Sequence, residues 1–261
     1  MQSITFNWAN DILISGLTSL NSQLRYVEIN SCNNVLVRNV RTVAPDLSPN
    51  TDGIHVQSST GVTITGSSMK TGDDCISIGP GTRNMWMEML QKSVKLRTKQ
   101  GSSPNPTSQA IIGSLGRDFN EAGVENVTLT DSVFSGSNNG LWVKTWARPS
   151  NGFVRNFYYR NNLMKKVDNP IIIDQNYCPD NQGCPSQGSG IKISSVSYEN
   201  IQGTSATEMA MVFDCSPTNP CTDITLRDIK ISSVNSRTKP KSYCKNIGGK
   251  TSGVILPDNC L

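Results

Sequence analysis

The segments Asn10-Asp11-Ile12-Leu13-Ile14, Asn33-Asn34-Val35-Leu36-Val37 and Thr60-Gly61-Val62-Thr63-Ile64 share one pattern, a turn-forming residue followed by two apolar residues at alternate positions. Alternation with period two predicts a strand with one buried face. The apolar pair recurs after 23 and then 27 residues, and after 23 more at Met85/Met87. A period of this length is typical of a solenoid, in which each repeat supplies one coil. Further pairs of this type occur at Val127/Leu129, Ile191/Ile193 and Ile224/Leu226.

A second set of alternating apolar pairs lies between the first, so each coil carries at least two strands. Stacked coils pair strand on strand at roughly 4.8 Å and bury an apolar column. The predicted fold class is therefore all-β, a right-handed parallel β-helix in which residues 1–261 form a single domain. A β-sandwich is the alternative, but it favours hairpin turns over this repeat. The second set comprises Val27/Ile29, Ile54/Val56, Ile76/Ile78, Leu141/Val143, Ile171/Ile173 and Met211/Phe213.

The composition agrees with many short strands joined by polar turns. Charged residues make up 17% of the chain and apolar residues 36%, with 21 glycines. Gly, Asn and Ser favour turns, so we expect little helix. No composition shift or low-complexity linker divides the 261 residues into two domains.

The eight cysteines indicate disulfides and an oxidising compartment. Zinc ligation is the alternative, but the spacings are not Cys-x-x-Cys pairs and His55 is the only histidine. The segment 1–8 has no basic region followed by an apolar one, as a secretion signal would. We therefore expect a secreted protein whose N-terminal coils and cap are missing from this sequence, and poor stability of the chain as it stands. The three expected pairs are Cys178 with Cys184, Cys215 with Cys221, and Cys244 with Cys260.

The net charge of +4 mildly favours a polyanionic partner. Nucleic acid is one such partner, but its binding sites cluster Lys and Arg with aromatic residues. The one basic run, residues 92–99, is better explained as a solvated loop. No apolar stretch approaches the length of a membrane span. We expect a monomer without a nucleic-acid or membrane partner.

Three carboxylates share one position in the repeat. Asp52 lies two residues before Ile54, Asp74 lies two residues before Ile76, and Asp73 is adjacent. Stacking of the coils then places all three at one mouth of the solenoid. Glycoside hydrolysis needs one carboxylic acid to protonate the leaving oxygen and a carboxylate to activate water. Crowding of like charges helps to keep one of them protonated.

Two considerations bear on this cluster. Lys144 follows an apolar strand position of a neighbouring coil, where its cation can hold a substrate carboxylate. Asp-Gly and Gly-Asp-Asp are also ordinary turn sequences, whatever the function. The registration of three carboxylates with a lysine favours a catalytic site over turns alone.

Four motifs occur along the chain in a fixed order: Asn50-Thr51-Asp52-Gly53, Gly72-Asp73-Asp74-Cys75, Ile112-Gly113-Ser114-Leu115-Gly116 and Asp174-Gln175-Asn176-Tyr177-Cys178. Together they resemble the motifs of plant polygalacturonases of glycoside hydrolase family 28. The resemblance runs from about residue 6 to residue 261 and weakens between residues 89 and 111. It implies an inverting hydrolase of the α-1,4-linked galacturonan of pectin, acting in the plant cell wall without a metal or organic cofactor.

The resemblance also implies roles for individual residues. Asp73 corresponds to the general acid, and Asp52 and Asp74 correspond to the pair that activates water. Lys144 and Tyr177 correspond to substrate-contacting positions. By its sequence context alone, Tyr177 would be a packed aromatic beside the Cys178 loop.

Two family elements are not intact. A Gly-His-Gly that follows a cysteine is missing, and Ser108 occupies the place of its histidine. Trp142 occupies the place of the arginine in an Arg-Ile-Lys tripeptide. His55 does not match the missing histidine, and we expect it to face the coil or the groove. Cys75 loses its usual partner with the departing stretch, and Cys32 has no assignable partner.

These departures predict strongly reduced or absent hydrolysis. Loss of a positioned acid–base group costs about 10²- to 10⁴-fold in rate. Loss of the arginine weakens the grip on a galacturonate carboxylate, although Trp142 can instead stack on a sugar face. Two explanations stay open. The first is a polygalacturonase whose transcript or gene model is faulty in two places, the missing N-terminal coils and residues 89–110; the second is a catalytically inactive pectin-binding relative. A lyase of another β-helix family would generally need calcium and a basic catalytic residue.

Overall fold

The computed structural model describes residues 4–45, 48–92, 110–178, 182–235 and 237–261. Within these ranges the chain forms 24 strands and no helix. The strands are β1 (Ile4–Asn7), β2 (Asn10–Ser15), β3 (Thr18–Leu20), β4 (Val27–Asn30), β5 (Asn33–Arg38), β6 (Arg41–Val43), β7 (Ile54–Gln57), β8 (Thr60–Thr65), β9 (Ser68–Lys70), β10 (Ile76–Ile78), β11 (Arg83–Glu88), β12 (Gln91–Lys92), β13 (Ala110–Leu115), β14 (Val124–Thr130), β15 (Val133–Ser135), β16 (Asn139–Trp146), β17 (Phe153–Arg160), β18 (Leu163–Val167), β19 (Asn169–Tyr177), β20 (Lys192–Ser205), β21 (Met209–Asp214), β22 (Cys221–Ser233), β23 (Lys241–Lys245) and β24 (Ile247–Leu256).

One continuous sheet, sheet A, contains nine parallel strands in the order β1-β4-β7-β10-β13-β16-β19-β21-β23. Its register pairs Val27 with Ile54, Ile54 with Ile76, and Leu141 with Ile171. These are the apolar pairs of the second set, so the predicted repeat is confirmed there. Between them the structure adds a coil at β13, where Ala110 pairs with Ile76.

The second sheet, sheet B, is formed by the remaining strands of each coil. One row runs β2-β5-β8-β11-β14-β17-β20-β22-β24, and a shorter row runs from β3 through β6, β9, β12, β15 and β18 to the second half of β20. Each of these strands pairs in parallel with the corresponding strand of the next coil. The predicted right-handed parallel β-helix is confirmed.

The first set of apolar pairs needs one correction. In sheet B, Val127 pairs with Phe157, Phe157 with Val196, and Val196 with Ile224. The strand β17 therefore belongs to an additional coil. The larger sequence separations between the later apolar pairs leave room for this coil. Ile193 pairs with Val154 and is out of register with Val127. The alternation at 191–193 belongs to the beginning of β20. The residue of β20 that stacks on Phe157 is Val196, three positions after Ile193.

The Asn, Gly and Asp residues that introduce the sheet B strands bend the chain. The residue just before the apolar pair has a positive φ in successive coils, 55° at Asp11 and Asn34, 66° at Gly61, 52° at Asn84 and 56° at Asn126. Left-handed backbone is costly for most residues, and Gly, Asn and Asp adopt it most easily. Asn side chains also bond coil to coil, as where Nδ2 of Asn126 donates to Oδ1 of Asn84 at 2.9 Å. The turn-forming residues that recur in the sequence thus form a corner of the solenoid.

The core is the interior of the solenoid, filled by the inward side chains of both sheets. Ile29, Ile54 and Val143 are fully buried there, and Tyr159 stacks on Tyr198 with ring centroids 5.0 Å apart. Burial of such columns is the main favourable term for folding. It also fixes the register of every coil, because a shift by one residue would turn the apolar side chains outward.

The predicted cysteine pairs are all formed, and they lie in the C-terminal coils. Cys32 and Cys75 are buried and take no part in these three disulfides. In the part of the chain that the structure describes, no helix is long and apolar enough to cross a membrane. Most of the basic run at 92–99, and Ser108, lie outside the described residues.

Candidate active site

The three predicted carboxylates come together at the beginning of two adjacent strands of sheet A. Asp52 precedes β7, and Asp73 and Asp74 precede β10. Backbone bonds hold these approaches in register: Gly53 N donates to the Asp74 carbonyl at 2.8 Å, one coil on. Carboxylate oxygens of the three residues lie within 4.8 Å of one another.

Asp73 is half-buried and held by backbone donors. Its two carboxylate oxygens accept hydrogen bonds from Asn50 N and Asp74 N, each at 3.0 Å. Burial raises the pKa of Asp73, and the negative charge of Asp52 raises it further, against these donors and Lys144. This environment favours a protonated carboxyl at Asp73.

Asp52 is buried and held by side chains from the neighbouring coils. The hydroxyl of Ser77 donates to its Oδ2 at 2.7 Å, and Nε of Arg25 lies 3.7 Å from the same oxygen. Burial raises the pKa of Asp52, while Ser77, Arg25 and Lys144 act in the opposite direction. The carboxylate thus has a hydrogen-bond donor on one neighbouring coil and a cation on the other.

His55 extends this contact into a chain of three groups. Its Nδ1 lies 2.7 Å from the Ser77 hydroxyl, and its Nε2 lies 3.3 Å from Oε1 of Gln57. Because the hydroxyl gives its proton to Asp52, the compatible tautomer carries its proton on Nδ1 and donates to Ser77; Nε2 of the neutral ring then has no proton to donate to Oε1 of Gln57. Burial, and to a lesser degree Arg25, lowers the pKa of His55 to about 4, so the imidazole is neutral near pH 7. The histidine faces the groove and supports Asp52 indirectly.

Lys144 closes the cluster on the side of the later coils. Its Nζ lies 3.8 Å from Oδ2 of Asp74. The same nitrogen lies 4.8 Å from the ring centroid of Trp142 and 4.9 Å from that of Tyr177. Two aromatic rings therefore fix the ammonium group beside the carboxylates.

Trp142 packs within the protein. Its ring meets Tyr177 edge to face, with centroids 5.9 Å apart. Its Nε1 is buried and has no hydrogen-bond partner among the described residues. The indole thus occupies the position of the expected arginine and makes a contact with Lys144 instead.

The cluster lines an open concavity of about 450 Å³. Among the described residues, its wall holds three carboxylates and three cations. The lining also includes the Gly113-Ser114 turn of a family motif. The charged residues are Asp52, Asp73, Asp74, Arg25, Arg117 and Lys144.

Sequence reasoning missed Arg25, Arg117 and the role of Ser77. Arg25 lies two residues before Val27, the same offset at which Asp52 precedes Ile54, and those two strands pair. That offset was a usable signal. Ser77 follows from register, since it pairs with His55 across β10 and β7.

The three carboxylates have the oxygen donors that a hard divalent cation prefers. Arg25 and Lys144 already place positive charge within 4 Å of two of them. Two of the three carboxylates therefore have a cationic side chain as a partner where a metal ion would otherwise supply the positive charge.

Residues 1–253 match the family described as Glycosyl hydrolases family 28. The chain belongs to this family. It is 50% identical over 259 residues to a polygalacturonase from Prunus persica and 38% identical over 258 residues to one from Gossypium hirsutum. These alignments cover 99% of this chain but 62% and 60% of the relatives, so the chain spans about three fifths of their length.

The solved structures agree on the fold. An endo-xylogalacturonan hydrolase from Aspergillus tubingensis superposes with a TM-score of 0.76 at 19% identity, covering 95% of this chain and 66% of that one. Identity at this level supports the β-helix and not the substrate.

Proposed function

We propose that this chain carries the groove of a polygalacturonase-type glycoside hydrolase that cleaves α-1,4-galacturonosyl linkages of pectin. The observation that carries the proposal is the cluster of Asp52, Asp73 and Asp74 within 4.8 Å, flanked by Arg25 and Lys144. Carboxylates supply the acid and the base of glycoside hydrolysis. The cations suit a substrate that carries a carboxylate on every sugar.

Asp73 is the general acid in this proposal. Its raised pKa keeps a proton available for the leaving oxygen, and its backbone donors fix the carboxyl group. Asp52 and Asp74 then hold and activate the attacking water. Ser77 and Lys144 orient these two carboxylates.

The stereochemistry of the reaction is a separate question. The family resemblance implies inversion, yet inverting enzymes typically separate their carboxyl groups by roughly 6.5–9.5 Å. The oxygens here approach within 4.8 Å. We propose inversion, with the water bound between Asp52 and Asp74. Proton NMR of the first-formed reducing end tests this, and an α-anomer as first product would require a carboxylate nucleophile instead.

Substrate binding is proposed for Lys144 and Tyr177. Lys144 presents a cation to the concavity, and Tyr177 lines the same wall. The ammonium is held by two rings, so little side-chain entropy is lost when it binds a galacturonate carboxylate.

We propose a reduced rate of hydrolysis. The histidine of the family motif is absent from the sequence, and Trp142 replaces the arginine that would bind a substrate carboxylate. A loss of about 10²- to 10⁴-fold is ordinary for one positioned acid–base group. The second candidate function, a catalytically inactive pectin-binding protein, is favoured by one observation, the packing of Trp142 on Lys144 where a further cation is expected.

Two assays separate these functions. Reducing-end release from polygalacturonate measures hydrolysis, and isothermal titration calorimetry with hexagalacturonate measures binding. Asp73→Asn should abolish release and keep binding within a few-fold, while Asp258→Asn, at an exposed aspartate, should change neither. Binding without release by the native chain would establish the second candidate. Absence of both would refute the proposal.

We further propose a secreted, cell-wall location, a monomer, and no nucleic-acid partner. Three disulfides support an oxidising compartment. Sedimentation of the purified chain tests the monomer.

A further inference from the structure

A second concavity, of about 520 Å³, lies on the outer face of sheet B, away from the carboxylate cluster. It shares no lining residue with the candidate active site. Two exposed aromatic residues define it, Trp86 on β11 and Tyr158 on β17, with 45% and 52% of their surfaces accessible. Large exposed aromatic side chains on a rigid sheet cost hydration free energy, and they commonly mark a binding surface.

The spacing of the two rings follows from the strand register. Trp86 pairs with Thr128, and Thr128 pairs with Tyr158, so the aromatic residues stand two strands apart, roughly 9.6 Å. The residue between them is a short threonine, and the next in the row, Ser197, is short as well. The row thus presents two rings separated by a gap, along the direction in which coils stack.

Hydrogen bonds hold the rim of this concavity. Nε1 of Trp86 donates to Oε2 of Glu88 at 3.0 Å, which fixes the indole. Oε1 of the same carboxylate accepts from Thr65 at 3.3 Å. Asp131 accepts from Thr130 at 2.7 Å and from Asn161 at 3.1 Å. The site is therefore preorganised.

The charge of the wall selects the ligand. Among the described lining residues, Glu88, Asp131 and Glu199 are acidic, and Arg160 is the one cation. Glu199 pairs with Arg227, which is outside the lining, and lies 3.8 Å from Arg160, so the three carboxylates outnumber the two cations at this wall. A polygalacturonate chain would be repelled, whereas the hydroxyl groups of a neutral sugar can donate to these carboxylates.

We propose that this face, the Trp86–Tyr158 site, binds a neutral, extended β-linked glucan through two of its sugar rings. Each ring stacks its C–H face on one aromatic side chain, since aromatic surfaces combine apolar contact with low loss of conformational entropy. The carboxylates of Glu88 and Asp131 accept hydrogen bonds from the sugar hydroxyls. This binding is independent of hydrolysis and stands if the proposed function fails.

The test is calorimetry of the purified chain with cellohexaose, a neutral β-1,4-linked glucose hexamer. We expect saturable binding that the double variant Trp86→Ala/Tyr158→Ala weakens at least tenfold. Leu13→Ala is the matched control: Leu13 is 58% exposed in the same sheet, outside the concavity, and its loss should leave binding unchanged. Thermal unfolding of each variant checks the fold.

A second variant protects the test against unfolding of the first. Trp86→Phe keeps a ring and loses the indole, so it should retain part of the affinity and lose the blue shift of tryptophan fluorescence that ligand stacking produces. No binding of cellohexaose by the native chain, or equal binding by the double alanine variant, overturns the proposal. Weaker binding of hexagalacturonate in that variant also overturns it, because the site would then hold the acidic chain.

Discussion

The hydroxyl of Ser77 donates a hydrogen bond of 2.7 Å to Oδ2 of Asp52, across the boundary between two coils. The same hydroxyl accepts from the neutral imidazole of His55. Burial raises the pKa of Asp52, and this bond is the largest of the influences that favour its ionised form. A base that activates water must be ionised, so Ser77 supports the proposed chemistry through Asp52.

Ser77→Ala should shift the acid limb of the activity profile to higher pH. Loss of the donor removes stabilisation of the carboxylate, and the pKa of Asp52 rises further. A hydrogen bond to a charged group contributes about 1.5–3 kcal/mol, so kcat/KM on the acid limb should fall about tenfold or more. The measurement is the pH dependence of reducing-end release, supported by ¹³C NMR titration of the aspartate carboxyls, which needs no activity.

Ser67→Ala is the matched control for that variant. Ser67 is also a buried hydroxyl between coils, and it accepts from Val40 N at 3.1 Å in sheet B. Its loss should lower stability and leave the carboxyl titration unchanged. Identical titration curves for native chain and Ser77→Ala would contradict the role given to Ser77.

Trp142→Arg should strengthen binding of oligogalacturonides. The indole now packs on Lys144, and its Nε1 is buried without a described partner. A guanidinium at this position can donate two parallel hydrogen bonds to one substrate carboxylate. We expect a 10- to 100-fold lower Kd for hexagalacturonate by calorimetry, in line with about 1.5–3 kcal/mol for a charged hydrogen bond.

Trp142→Ala distinguishes the effect of adding a positive charge from the effect of removing the indole ring. If release of Lys144 from the indole is what matters, the alanine variant will bind as tightly as the arginine variant. Tighter binding by arginine alone assigns the effect to its charge. Weaker binding by both would show that the packed indole itself holds the groove in shape.

The fold was predictable because one physical constraint repeats in every coil. Burial in the solenoid requires apolar residues at alternate positions, and the corner requires left-handed backbone, which the sequence marks with Asn, Gly or Asp. The coil at β17 follows the same pattern, with Asn156 at φ 59° before the buried pair Phe157 and Tyr159, and was missed because that pair is aromatic where the earlier coils have aliphatic residues. The match of Ile193 failed because one coil has several inward positions, and alternation alone does not say which of them stacks on Val127.

The carboxylate cluster was predictable from a constant offset of two residues before the strand. Arg25 has the same offset, but it is basic where Asp52 and Asp74 are acidic, so a pattern of carboxylates does not include it. The chain from His55 through Ser77 to Asp52 needs side-chain directions, which the pattern does not contain. Catalytic roles, the single domain and the monomer stay predictions.

Asp174→Asn should stabilise the protein at neutral pH. Burial, together with the charge of Asp214, raises the pKa of Asp174 from 3.8 to about 6, against Asn176 N and Lys144. The folded chain thus binds this proton more tightly than the unfolded chain, and the resulting stability is present below about pH 4 and lost as pH rises through 6. The variant should gain up to about 2 kcal/mol at pH 7, allowing for partial exposure, and nothing at pH 4.

Thermal unfolding at pH 4 and pH 7, followed by circular dichroism, measures this difference. The exposed Asp258→Asn should show no such pH-dependent gain. An equal change in Tm at both pH values would assign the effect of Asp174→Asn to packing rather than to charge.

Removal of the disulfide between Cys244 and Cys260 should destabilise the chain more than removal of the one between Cys178 and Cys184. The first spans 16 residues and the second six. A crosslink that closes a longer loop removes more entropy from the unfolded chain, which corresponds to about 3 kcal/mol against about 2 kcal/mol. Urea unfolding of the two double serine variants measures both values. The Cys244 link also ties β23 to the C-terminal residues beyond β24, so its loss should expose the last coil to proteolysis first, whereas equal sensitivity of both variants would contradict this order.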